Sequence, residues 1–577
     1  MIKKIQTILS KEKFKSYRIF LLVNLINFFL EFISLSSIPI FVASIVSPDL
    51  LISKIYLINE KLTVNLSFTN YLIQYCAAFV CFSFYFKNLF QGTTIFFENK
   101  FYKNVRKDLK ETFFDHYIKM PYLEHTKTNP SEMVRNTLLD VDGAVSYMEN
   151  INIIIRGLMA LIVIFILMLI VNKINALIIF IFFLILLFIY LKNMKPKIRS
   201  WASTNQKISK TLIKILYETF GSIKDIKILS KEDEIKLRFS ERLVVFEKNN
   251  LFIQLTKKFP RIFLEIIAIT ILISISLIYL LFTNDSKNLF SLLSVYAVLV
   301  ARFIPAFNSI VAGYGYLRIH LPRLESVANQ VQEIKRRKIL GTNAINYKNF
   351  EKKLENDYLR VENISFTYPK GKLKSLNNVS LSISEGSVVG ITGPTGSGKT
   401  TLFHSMLGLV LPQNGNIYFK GKSIFKNIET WRKETGHISQ NIFLLDETIK
   451  KNISFDLASN NEDIQKLEKV IDLAQLRSKL NELPNGLNTK VGVDGLELSG
   501  GERQRIAIAR TLYKNPNVIF MDESTSALDE KTEELILSQL IKLYKGKTII
   551  IVTHRPKTLN YCDKKYFLDQ GNLKEIS

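Results

Sequence analysis

Gly393-Pro394-Thr395-Gly396-Ser397-Gly398-Lys399-Thr400 matches the pattern G-x-x-x-x-G-K-[ST] at every position and constrains the fold more than any other stretch. The pattern works only between a strand and a helix. Residues 386–392 (Gly-Ser-Val-Val-Gly-Ile-Thr) predict a short buried strand, and residues 401–407 (Thr-Leu-Phe-His-Ser-Met-Leu) predict the first turns of a helix. Glycines let backbone N–H groups turn inward on phosphates, and the helix N-terminus adds the positive end of its dipole. Lys399 would reach the β- and γ-phosphates, and the Thr400 hydroxyl would hold Mg²⁺. Kinases, GTPases and motor ATPases share such a loop, so the loop alone selects no activity.

Two later stretches narrow the choice. Leu498-Ser499-Gly500-Gly501-Glu502-Arg503-Gln504-Arg505 precedes an Ala/Ile-rich helix, and Val518-Ile519-Phe520-Met521-Asp522-Glu523 is an apolar strand ending in two carboxylates. These residues resemble the signature sequence and Walker B strand of an ATP-binding cassette (ABC) ATPase. Six elements then follow in the family's order: Tyr368, the phosphate loop, Gln440, the signature from Leu498 to Glu502, Asp522-Glu523, and His554. Ser526 and Asp529 match the family's D-loop.

The resemblance implies roles for each. Tyr368 would stack on adenine, and Thr401 would continue the phosphate site begun by the loop. Thr400, Gln440 and Asp522 would hold Mg²⁺, Glu523 would polarise the attacking water, and His554 would contact the γ-phosphate. A buried structural histidine is the alternative for His554; its place after the apolar strand at 548–553 argues against that. Ser499, Gly500, Gly501 and Glu502 would act in trans, on ATP bound by a second subunit. The chain would therefore form a dimer with two ATPs in its interface. Because Lys399, Asp522, Glu523 and His554 are all kept, a homodimer is expected. Glu502 stands where the family favours Gln, which should weaken nucleotide binding. Val493 stands where many exporters have Glu, which leaves open how the signature senses the partner subunit.

A chain of 577 residues predicts at least two domains. Its 47% hydrophobic content and its excess of 77 Lys+Arg over 51 Asp+Glu, a net charge of +26, are reconciled by membrane spans flanked by basic loops. A nucleic-acid partner would fit the charge but not the apolar N-terminal half, so none is expected. Codon bias toward Lys, Ile and Asn is a further source of the charge. Cys76, Cys81 and Cys562 have neither metal spacing nor a disulfide framework.

Six spans are expected, at about 18–46, 68–92, 148–171, 174–191, 262–283 and 289–312. Connections near 98–147 and 192–261 and the segment after 313 are rich in Lys and Arg, whereas those near 47–67, 172–173 and 284–288 carry little net charge. The positive-inside rule then places both termini in the cytoplasm, and the resemblance implies a bacterial inner membrane. The expected fold is a membrane α-helical domain of six transmembrane helices with long cytoplasmic extensions (1–330), a linker (331–346), and an α/β P-loop ABC ATPase domain (347–577). This resembles an exporter-type ABC half-transporter, which implies coupling helices near 120–127 and 219–227. An ordinary amphipathic surface is their alternative. Residues 47–68 predict either a short helix on the outer membrane surface or a solvated loop. The basic run Lys335-Arg336-Arg337-Lys338 predicts a solvated face near anionic headgroups.

The cargo is less legible. Arg302 falls inside the sixth span, where an arginine costs about 2.5–3.5 kcal/mol on insertion scales. Either it pairs with Glu31 of the first span, or with Arg261 and Lys87 it lines a cavity for an anionic headgroup. Pro260-Arg261-Ile262-Phe263-Leu264-Glu265 and Arg302-Phe303-Ile304-Pro305 resemble segments of bacterial flippases for lipid-linked oligosaccharides. That resemblance implies ATP-driven flipping of an anionic lipid-linked substrate among membrane lipids. Lipid A, other lipids or drugs are the alternative cargoes, and an ATP-gated channel is the alternative class.

Overall fold

The apolar runs of the N-terminal half fold, in a computed structural model, into helices longer than a bilayer is thick. The structure describes residues 2–46, 48, 71–171, 173–283, 286–341, 358–369, 371, 373–440, 442–457, 463–492, 495, 498–522, 530–543 and 546–576. Residues divide into two compact units, Met1–Met120 with His125–Ala344, and Pro121–Glu124 with Ile345–Ser577.

In the first unit a short helix α1 (Ile2–Ile8) precedes α2 (Lys11–Val46), α3 (Leu72–Lys119), α4 (Val141–Val171), α5 (Lys173–Gly221), α6 (Glu232–Thr283) and α7 (Ser286–Gly341). With 56 residues, α7 is about 84 Å long at 1.5 Å per residue. Among the described residues four helical stretches are long and apolar enough to cross a membrane: Lys11–Ile45, Leu72–Lys119, Pro130–Ile170 and Leu293–Arg337. The other two expected spans, 174–191 and 262–283, lie in α5 and α6. Helix α7 continues to Gly341, through much of the stretch expected as linker, because its apolar face (Leu324, Val327, Val331) stays buried past residue 330. Residues 47 and 49–70, the outer loop, lie outside the described residues. Short helices occur at Tyr122–His125, within the first stretch expected to hold a coupling helix, and at Ile223–Ile228, which overlaps the second and ends one residue past it.

Small residues let α4 and α7 approach closely. A Cβ on Gly157 would sit 2.5 Å from Ser309 Oγ and 3.0 Å from the Ala306 carbonyl, and one on Gly313 would sit 2.7 Å from Ile154. Gly157→Leu should therefore lower unit stability by about 1–3 kcal/mol through overpacking. A lowered melting temperature in detergent would confirm this; an unchanged one would mean that the helices separate without cost.

Proline shapes α6. Pro260 has no N–H, so the Thr256 carbonyl one turn earlier loses its helical donor. The Tyr190 hydroxyl of α5 donates to that carbonyl instead, tying the two helices at the interruption. One buried carboxylate is likewise paired: Glu98 of α3 accepts from Arg156 (2.5 Å) and Asn152 (2.5 Å) of α4.

The second unit is built on two sheets. Antiparallel strands are ordered β2-β1-β4-β5, with β1 at Leu359–Phe366, β2 at Leu376–Ile383, β4 at Asn414–Phe419 and β5 at Lys422–Ser423. The larger sheet is ordered β10-β9-β3-β8-β7-β6: β3 (Val388–Thr392), β6 (Thr435–Ile438), β7 (Val518–Asp522), β8 (Thr548–Val552), β9 (Lys564–Asp569) and β10 (Asn572–Ile576). Its central strands are parallel and nearly continuous in apolar residues because both faces are covered. Alternate residues feed opposite cores. Ile519, Met521, Ile549 and Ile551 pack to one side, and Val518, Phe520, Ile550 and Val552 to the other.

Candidate functional site

The parallel register of the central strands assembles the site. Ile391 pairs with Val552, Val552 with Asp522, and Met521 with Ile438. The carboxyl ends of β3, β8, β7 and β6 therefore lie along one edge, where open α/β sheets bind ligands. The phosphate loop follows β3, His554 stands two residues beyond β8, Asp522 ends β7, and Gln440 stands two residues beyond β6. Glu523, Ser526 and Asp529 follow β7 but lie outside the described residues, as does Val493.

The loop's own geometry fits a polyphosphate. Gly398 has φ +106 and caps helix α8 (Lys399–Met406), so Lys399 and Thr400 are its first residues. A Cβ there would sit 2.2 Å from the Ser375 carbonyl; on Gly393, φ +151, it would sit 2.0 Å from the Leu568 carbonyl. Gly396, φ +82, faces open space. Lys399 is buried, and its Nζ donates to the Gly393 and Pro394 carbonyls, 2.8 Å each, which holds the ammonium inside the loop. Ser397 Oγ is buried with no hydrogen-bond partner among the described residues. A loop with a buried cation, an unmatched hydroxyl and two glycines that admit no side chain suits an anionic ligand.

Tyr368 lies two residues beyond β1. Its hydroxyl is 3.4 Å from Thr401 Oγ1, and its ring stands edge-on to Phe366 at 5.0 Å. The half-exposed ring thus sits beside the phosphate loop, ready to pack against a base. Residues 121–124 belong to this unit as well: the Tyr122 ring stands 5.3 Å from His404 of α8, and Leu123 packs against the core around Phe403.

The signature begins helix α9 (Gly500–Tyr513) with Ser499 as its N-cap. Ser499 Oγ accepts from the Glu502 N–H at 3.3 Å, and Glu502 Oε2 accepts from the Ser499 N–H at 2.7 Å, a reciprocal capping box. Lys479 pairs with the same carboxylate at 3.1 Å. The charge expected to repel nucleotide is thus engaged locally, by the cap and by a lysine. Burial acts to raise the Glu502 pKa, but the Ser499 hydrogen bonds and the Lys479 ammonium outweigh it and hold it below the usual 4.5. A depressed carboxylate contributes stability that is full above its unfolded pKa and fades as pH falls through the folded value. Acid melting of the second unit should therefore begin higher in Glu502→Ala than in wild type; coincident acid transitions would refute the cap's contribution.

Sequence reading missed Lys479 and a buried pair behind the site. Asn452, fully buried, accepts from Leu445 N–H and Arg510, and Arg510 also donates to the Phe443 and Asn452 carbonyls. This fastens the segment after Gln440 to the signature helix. The Ser499-x-x-Glu502 spacing carried the capping signal; nothing local marked Asn452 or Arg510.

In the first unit the candidate substrate residues divide into two groups. Glu31, Lys87 and Arg302 share one electrostatic neighbourhood. Arg302, exposed in the single chain, lies over the Phe84 ring, 5.6 Å from its centre, a cation–π contact where an ion pair with Glu31 was one expectation. Arg261 donates to Glu265 at 2.8 Å in an exposed pair one helical turn apart.

The ABC transporter family profile matches residues 376–526. A multidrug resistance ABC transporter ATP-binding and permease protein of Lactococcus lactis subsp. cremoris is 35% identical over 221 residues, 38% of this chain and 37% of that protein. The alpha-hemolysin translocation ATP-binding protein HlyB of Escherichia coli is 38% identical over 221 residues, 38% of this chain and 31% of that one. An ATP-dependent lipid A-core flippase of Cupriavidus pinatubonensis is 34% identical over 216 residues, 37% of each chain. The matches thus span 31% to 37% of these relatives' length. A solved structure of a bacterial Atm1-family ABC exporter with ATP bound shares the fold at TM-score 0.71 and 19% identity, covering 97% of this chain and 94% of that one.

Proposed function

We propose that this chain, a membrane helical domain fused to an ABC transporter ATP-binding domain, is half of a homodimeric exporter. It would hydrolyse ATP to move an amphipathic, anionic lipid-linked substrate outward across a bacterial inner membrane. The observation that carries the reading is the row of strand ends presenting the phosphate loop, His554, Asp522 and Gln440 on one edge. In this reading six helices span the bilayer and both termini are cytoplasmic.

The chemistry follows from the site's residues. Lys399 and the loop N–H groups neutralise the β- and γ-phosphates, and Tyr368 holds the base. Mg²⁺, held by Thr400, Asp522 and Gln440, would spread the charge developing on the γ-phosphoryl oxygens. Glu523 orients water for in-line attack, and His554 contacts the γ-phosphate. Ser499 and Gly501 complete the site from the second subunit. Exposed apolar residues on the cytoplasmic parts of α5 and α6, Tyr217, Phe220, Val244 and Leu251, support the dimer, since no lipid covers them there.

Lys87 and Arg302 beside Glu31 favour an anionic headgroup, and the resemblance of residues 260–265 and 302–305 to flippase segments favours a lipid-linked oligosaccharide. The printed name of one relative, a lipid A-core flippase, favours lipid A as the second reading. In liposomes carrying a fluorescent lipid-linked oligosaccharide on one leaflet, wild type should move it with ATP and Glu523→Gln should not. ATP hydrolysis without glycolipid movement would discard that cargo and leave the ATPase.

A further inference from the structure

An open cavity of about 760 Å³ lies within the first unit, lined by α5, α6 and Phe307 of α7. It is not at the Glu31, Lys87 and Arg302 group, none of which lines it. Pro260 is on its wall, and the Tyr190–Thr256 bond that compensates for that proline closes one side. The size lies within the range of about 300–1,000 Å³ found for small-molecule sites.

Its lining is graded along the helices. From Ile189 to Trp201 it follows α5 for about 18 Å at 1.5 Å per residue, which crosses the cytoplasmic end of the expected span at 191. The membrane end is lined by Phe263, Leu264, Ile267 and Phe307. The cytoplasmic end holds Lys197, the single charged residue of the lining among the described residues, beside a Trp201–Phe252 pair stacked at 5.3 Å. Among the described residues no carboxylate pairs with Lys197. An apolar slot in the hydrocarbon zone that ends on a lysine and a tryptophan at headgroup level has the polarity profile of one lipid molecule.

We propose that this cavity holds one anionic phospholipid of the cytoplasmic leaflet, its phosphate on Lys197 and an acyl chain among Phe263, Leu264, Ile267 and Phe307. The inference rests on the membrane-spanning reading but not on the identity of the cargo.

The chain's tryptophans make the test direct. Trp431 is buried in the ATPase unit, so bromines on lipid chains can quench only Trp201. Full-length protein is reconstituted into phosphatidylcholine liposomes with a small fraction of brominated phosphatidylglycerol or, separately, brominated phosphatidylcholine. Trp201→Phe supplies the background. At equal mole fraction the anionic lipid should quench with about fivefold preference, one lysine's effect near the bilayer surface. Lys197→Gln should abolish that preference and Lys197→Arg keep it. Equal quenching by both lipids, quenching by neither, as when a second subunit covers the cavity, or a preference indifferent to Lys197 overturns the proposal. Protein that does not float with the liposomes overturns the membrane-spanning reading along with it, an outcome separable from floating without preference.

Discussion

Lys399→Ala will leave ATP hydrolysis at about a hundredth to a thousandth of the wild-type rate, the usual result of removing one preorganised donor to developing charge. The ammonium is already confined inside the loop by the Gly393 and Pro394 carbonyls, so meeting a phosphate requires little reorganisation. Its loss removes that stabilisation at full strength, because the group is buried and weakly screened. Phosphate release from purified protein measures the rate. The ATP-dependent rise in melting temperature, which reports binding to the folded state, should shrink in parallel. A variant hydrolysing within tenfold of wild type would mean that Lys399 does not face the transferred phosphate.

Equally large is the effect expected from mixing two inactive proteins. Lys399→Ala disables the phosphate loop of its own chain, and Gly501→Asp places a negative charge on the signature. That charge sits in the first turn of α9, where it favours the helix dipole, so the fold should survive while a phosphate is repelled. If each site joins the loop of one subunit to the signature of the other, a mixed dimer has one doubly damaged site and one intact site. Hydrolysis should then reappear on co-expression with two affinity tags and sequential purification. If loop and signature serve the same chain's ATP, every site in the mixture is broken and the mixed dimer stays silent.

Much of the second unit could be read from residues alone, because its motifs tie sequence position to a particular strand end. Asp522 ends a strand and His554 follows one, as the apolar runs before them predict. The sheet order was not legible: β8 lies between β3 and β7, a long-range pairing that no local pattern encodes. Glu502 shows a different limit. Read by charge alone it opposes nucleotide; read by spacing it caps a helix, and Lys479, distant in sequence, makes the second partner. In the first unit, apolar length identified helices readily, but a lone Arg302 can be compensated by an acid or by an aromatic face. Only the packing of α3 beside it supplies Phe84. The Tyr190–Thr256 tie was equally hidden, although Pro260 announced that a carbonyl one turn earlier would need a donor.

Residues 121–124 belong to the ATPase unit yet are translated roughly 280 residues before the His404 they meet. At about 5–20 residues per second that is a delay on the order of tens of seconds. During synthesis Tyr122 and Leu123 wait at the ribosome as an apolar turn whose folded neighbours do not yet exist. The ATPase unit is then finished by capturing a segment already anchored upstream. Each doubling of such a closing loop adds only about 0.6 kcal/mol, so the wait is a matter of timing far more than of stability. A nascent chain halted in between would leave this turn without its folded neighbours.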